Sequence, residues 1–141
     1  MEKVVVDASV VVKWFIDEED SDKALKIRDR YVNGEIMIIA PELLPYEVLD
    51  ALRYSGVFSI DEIKEASVAL SNYGIEMYPL LGNLAQKTVE ISMETNITVY
   101  DSAYVALAYL MDTVLYTADE SLIRRVKGDY GKHVTHISDV S

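Results

Sequence analysis

At 141 residues, half of them hydrophobic, the chain is long enough for one domain with a single packed core and too apolar to be disordered. It has no cysteine, which excludes disulfides and thiolate metal sites and agrees with a reducing cytoplasm. Its 24 acidic against 13 basic residues give a net charge of −11, which argues against holding nucleic acid through a broad basic surface but leaves room for local, ion-mediated grip on a phosphodiester and for basic protein partners.

The N-terminal Met-Glu-Lys leads at once into a valine run, so no signal peptide is expected. No stretch approaches the roughly 20 apolar residues of a membrane span, and a soluble, cytoplasmic protein is expected. Residues 3–6 form a short, continuous, β-branched run that predicts a buried strand. Helices are predicted over 8–16 and 21–32, the second stopped by Asn33-Gly34. Asp17-Glu18-Glu19-Asp20 between them is a solvated loop. Ile36-Met37-Ile38-Ile39 is a second buried strand. Pro41 and Pro45 open a helix running to about Tyr54, and Asp61 begins another that Tyr73-Gly74 ends. A short strand over 75–78 precedes a helix over 82–94. Residues 101–111 are apolar almost all round, which predicts a central helix. A strand over 114–116, a helix over 120–127 and a last strand over 133–136 complete the pattern. Strands alternating with helices predict an α/β/α sandwich around a short, mostly parallel sheet in one domain, residues 1–141.

Four acids stand alone at or inside apolar runs. Asp7 follows Val4-Val5-Val6, Asp101 follows Ile97-Thr98-Val99-Tyr100, Asp119 follows Val114-Leu115-Tyr116-Thr117-Ala118, and Glu47 interrupts Leu43-Leu44-Pro45-Tyr46 before Val48-Leu49. In a parallel sheet the carboxyl ends of the strands form the rim where ligands bind. Carboxylates gathered there repel one another unless a cation lies between them, and Mg²⁺ is the oxygen-seeking cation most used on phosphates. Structural readings stand beside this one. Asp7 and Asp101 precede predicted helices and can serve as N-caps. Thr117 with Glu120 spells a capping box, which leaves Asp119 without a structural role. Glu47 shares an inward helical stripe with Leu44, Val48 and Ala51, so its charge needs a cation, donors, or a buried Arg53 as partner. Asp50 lies one turn from both Glu47 and Arg53, at the pocket edge or paired with Arg53. Ser9, two residues after Asp7, can bond an acidic ligand or the helix backbone.

Other chemistries are poorly served: no Gly-rich phosphate loop, Gly-x-Ser-x-Gly elbow or His-containing metal motif is present. Trp14 and most of the ten tyrosines read as core or half-buried filler. Tyr46, Tyr54 and Tyr104 are the ones placed to flank a site and stack bases.

The segments Val5-Val6-Asp7-Ala8-Ser9-Val10, Pro41-Glu42-Leu43-Leu44-Pro45-Tyr46-Glu47-Val48, Tyr100-Asp101-Ser102-Ala103-Tyr104-Val105-Ala106-Leu107-Ala108 and Tyr116-Thr117-Ala118-Asp119-Glu120-Ser121-Leu122 together resemble the four signature blocks of PIN-domain ribonucleases, the VapC-type toxins in particular. They occur in the family's order along the whole chain. The resemblance implies that Asp7, Glu47, Asp101 and Asp119 form an acidic quartet holding Mg²⁺ or Mn²⁺ and cleaving RNA to leave a 3′-hydroxyl and a 5′-phosphate. It matches Ser9 and Thr117 to the family's hydroxyl residues near the first and last acids, and it implies a homodimer inhibited by a cognate antitoxin that inserts into the acidic groove. Asp50 stands where the family often has Asn, and Ser102 where Ala commonly follows the third acid. An RNA-processing nuclease without an antitoxin, an aspartate-dependent phosphotransferase or receiver domain, and a binding-only scaffold are the alternatives. The receiver reading lacks a second Asp near Asp7, where Ala8 and Ser9 stand, and the scaffold reading lacks a missing acid.

Overall fold

The computed structural model describes residues 1–141. Five strands, β1 (Glu2–Val6), β2 (Ile36–Pro41), β3 (Glu76–Tyr78), β4 (Leu115–Thr117) and β5 (Val134–His136), form one sheet in the order β3-β2-β1-β4-β5, every neighbouring pair parallel. Val4, Val5 and Val6 of the central strand are all at most 1% exposed. Successive strand residues point to opposite faces, so both faces of the sheet are covered, as a continuous apolar run requires.

The helices are α1 (Ala8–Val11), α2 (Ser21–Val32), α3 (Leu44–Ser55), α4 (Ile60–Tyr73), α5 (Gly82–Thr95), α6 (Val99–Leu110) and α7 (Glu120–Arg125). Helix α6 lies across β1, β2 and β4 and packs on α5, while α1 packs on both α2 and α3 and α4 joins α3. The expected central helix is real: every residue from Ser102 to Ala108 is buried. The core runs through both layers, with Ile27, Leu44, Leu52, Ile91 and Leu107 buried on helices around the valines and isoleucines of the sheet.

Three local features depart from the sequence reading. The first helix is α-helical only to Val11 and tightens into a 3₁₀ turn over Val12–Trp14. Helix α4 starts one residue early, at Ile60, because Ser59 and Glu62 form a reciprocal capping box. Helix α6 starts two residues early, at Val99, because the Thr98 hydroxyl accepts the Asp101 backbone N–H at 3.0 Å. Asp101 therefore sits inside the first turn and is not the cap.

Candidate active site

In the order β3-β2-β1-β4-β5 the chain turns back at β1: β2 is laid on one side of it and β4 on the other. The crevice beyond the carboxyl ends of β1 and β4 is thus the switch point at which open α/β sheets bind ligands. Asp7 directly follows β1 and Asp119 stands two residues beyond β4. Glu47 and Asp101 enter from the first turns of α3 and α6. All four acids lie at helix N-termini, whose orphan N–H groups favour negative charge.

Asp7 is the anchor. It is 8% exposed, and its carboxylate makes no capping bond to α1. Instead it accepts the Ser9 hydroxyl on Oδ1 and the Thr117 hydroxyl on Oδ2, both at 2.5 Å. Each hydroxyl in turn accepts a backbone N–H from the turn after β4: Ala118 N–H to Ser9 at 2.8 Å, Asp119 N–H to Thr117 at 3.1 Å. Both hydroxyl protons are spent on Asp7, so the 3.4 Å approach of Ser9 to Thr117 is a contact between acceptors. The network ties the ends of β1 and β4 together around one carboxylate. Burial nevertheless dominates these donors and pushes the Asp7 pKa up to about 6, with the nearby Asp101 charge adding to the rise.

Asp101 is electrostatically central. Burial raises its pKa and the Asp119 charge raises it further, against the opposing bond to Thr98. Glu47 is half-buried; desolvation raises its pKa, a hydrogen bond from Tyr104 lowers it, and Asp101 raises it again. Burial is thus the main cost to all three charges, with Asp101 adding to it at Asp7 and Glu47 and Asp119 adding to it at Asp101. Lys and Arg relieve none of it: no ion pair in the structure involves Asp7, Glu47, Asp101 or Asp119.

Several expectations need correction. Arg53 is not the partner of Glu47; it pairs with Asp50 at 2.8 Å, with both side chains 69% exposed. Asp50 also borders the shallow hollow lined by Leu43, Tyr46, Glu47 and Tyr100. Asp119 does have a structural role, since its Oδ1 accepts the Ser121 and Leu122 N–H groups at 2.9 and 3.2 Å and caps α7. Thr117 cannot be that cap, because it ends β4 with its hydroxyl on Asp7. Tyr104 stacks on nothing in solvent, being 1% exposed; its hydroxyl donates to Glu47 Oε1 at 2.7 Å. This contact was missed in the sequence, although Tyr104 lies three residues after Asp101 and so shares its helical face. Tyr54 is exposed near the far end of α3, whereas Tyr46 and Tyr100 line an apolar hollow of about 260 Å³ beside the acids.

The donor set is all oxygen, anionic and without basic partners, which suits a hard cation such as Mg²⁺ or Mn²⁺. As the side chains stand, no three acids converge on one point within ligand distance, so the cluster is open. Ser102, beside Asp101, carries the one buried side-chain polar atom with no hydrogen-bond partner, and nothing in the structure explains it.

The PIN domain family matches residues 4–128. The chain is 35% identical over 125 residues to Ribonuclease VapC1 of Mycobacterium tuberculosis, covering 86% of this chain and 90% of that protein. It is 29% identical over 128 residues to Ribonuclease VapC3 of Pyrobaculum aerophilum, covering 87% and 94%. Two solved structures share the fold at low identity. A toxin–antitoxin complex from Klebsiella pneumoniae matches with TM-score 0.66 and 16% identity over 95% of this chain and 97% of that one. VapBC2 from Rickettsia felis, bound to a DNA fragment from its promoter, matches with TM-score 0.67 and 11% identity over 95% and 98%. With its parallel sheet and co-linear acidic blocks, this chain belongs to the PIN-domain family, in its VapC-type branch.

Proposed function

We propose that the chain is a metal-dependent endoribonuclease, the toxin of a toxin–antitoxin pair, folded as one domain and working in the cytoplasm as a homodimer. The observation that carries this is the quartet itself: four carboxylates around a sheet switch point, none of them paired with a Lys or Arg. Support for RNA as substrate comes from the ribonuclease relatives, and support for an antitoxin from the toxin–antitoxin neighbours.

Asp7, Glu47, Asp101 and Asp119 would hold one or two Mg²⁺ or Mn²⁺ ions. When bound, such an ion polarises the scissile phosphate and lowers the pKa of an attacking water. The chain's own residues do the positioning. Ser9 and Thr117 fix the plane of Asp7 by donating one proton to each of its oxygens. Asp119 is held on Oδ1 by the start of α7, which leaves Oδ2 for the cluster. One member of the quartet takes the proton of the water. The water's oxygen joins phosphorus as the bond to the 3′-oxygen breaks, and the proton taken from the water passes on to that oxygen, leaving a 3′-hydroxyl and a 5′-phosphate. With a net charge of −11, the chain grips a polyanion only where cations neutralise it locally. The same acidity suits an antitoxin that presents Arg or Lys to the groove.

The test is sequencing of RNA ends generated by purified protein with Mg²⁺, with Asp101→Asn as control. Metal-dependent cuts bearing 5′-phosphates, absent from the control, are expected; equal cutting by both proteins would remove the assignment.

A further inference from the structure

Tyr104 reaches from α6 to α3, where its hydroxyl meets Glu47 Oε1 at 2.7 Å. Its ring is 1% exposed, between the buried Ala103 and Val105. Asp101 lies one turn earlier on the same helix. One rigid element therefore carries both the central acid and the donor that restrains Glu47. We propose that Tyr104 is a positioning residue for the metal site: it holds Glu47 of α3 at a fixed spacing from Asp101 of α6, so that both carboxylates are preset for one ion. This inference rests on the metal-nuclease reading above and deepens it.

The chemistry favours that role over a tyrosine that merely satisfies its own hydroxyl. Glu47 has no other side-chain donor, because Arg53 is turned to Asp50. A Glu side chain otherwise samples many rotamers, and restraining it in advance removes that ordering from the binding step. Only Oε1 is held; Oε2 is left for the cation. Partners that orient metal ligands in this way typically change metal affinity by about 10- to 100-fold.

The test is Mn²⁺ titration by calorimetry on the full chain in four forms: wild type, Tyr104→Phe, Glu47→Gln and the double variant. Phe keeps the ring and its packing, and metal-free melting of each form reports on folding separately. Tyr104→Phe is expected to bind Mn²⁺ about tenfold more weakly. In the Glu47→Gln background the same change is expected to add nothing, because its effect passes through Glu47. Wild-type affinity in Tyr104→Phe, or an equal further loss in the Glu47→Gln background, overturns the positioning role while leaving the metal reading standing. Wild type that takes up no Mn²⁺ overturns both.

Discussion

The Thr117 hydroxyl, at the end of β4, donates to Asp7 Oδ2 at the end of β1, joining residues 110 positions apart in the chain. Ser9 completes the pair on Oδ1. Asp7 is thereby fixed on both oxygens yet buried enough to be short of compensation.

That shortage has a definite sign. The Asp7 pKa is about 6 in the folded chain against 3.8 for the ordinary side chain, so between these values the native state binds more protons than the unfolded state. Metal-free stability should therefore be fullest below about pH 4 as far as this group is concerned, and should fall as pH rises through 6, by on the order of 3 kcal/mol. Urea midpoints of chelator-treated protein between pH 4 and 7 check this against Asp7→Asn, which should lose that part of the slope.

Divalent metal should reverse the loss. Binding to the native state alone adds about 2.7 kcal/mol at a ligand concentration a hundred times Kd. A melting series with Mg²⁺ or Mn²⁺ at neutral pH should rise by several degrees over the chelator control. An unchanged melting temperature across millimolar-range metal would count against the site.

Asp101→Asn should cut RNA turnover by more than about 100-fold, since even partners of metal ligands register on that scale. Its melting temperature without metal should stay near or above wild type, because Thr98 does the capping and the change removes a repelled charge. Turnover near wild type would return Asp101 to the scaffold.

Glu47→Gln should abolish activity and leave the metal-free denaturation midpoint equal or higher, as the amide oxygen still accepts from Tyr104. Arg53→Ala, by contrast, breaks only an exposed pair with Asp50 and should cost less than about 1 kcal/mol. A large loss in either variant would contradict the separation of Glu47 from Arg53.

Ser102→Ala should stabilise the protein by about 1 kcal/mol, since it removes a buried hydroxyl without a partner and improves helix propensity. Cleavage should be unaffected. Destabilisation in thermal melts would mean that the hydroxyl makes an interaction the structure does not display.

The strands were legible because β-branched residues run without interruption, and α6 because apolar residues surround it on every side. The caps were less so, although their signals were present. Thr98-Val99-Tyr100-Asp101 and Ser59-Ile60-Asp61-Glu62 both carry the hydroxyl-to-acid spacing of a helix start, and both are used. Thr117-Ala118-Asp119-Glu120 carries it too and is not, because Thr117 still belongs to β4, tied to Asp7 from the far end of the sequence, and Asp119 caps α7 instead. Local spacing cannot report such competition. The Glu47–Tyr104 bond was hidden for the same reason: it joins residues 57 positions apart on two different helices, and no local pattern encodes that.

The place of β4 beside β1 also governs when the site comes into being. Synthesis releases Asp7 before Asp119, and the sheet cannot bring them together until β4 has left the ribosome. A nascent chain ending before Thr117 lacks the hydroxyl that fixes Asp7 and the turn whose N–H groups complete the network. The assembled acids therefore exist only once β4 has emerged and paired with β1.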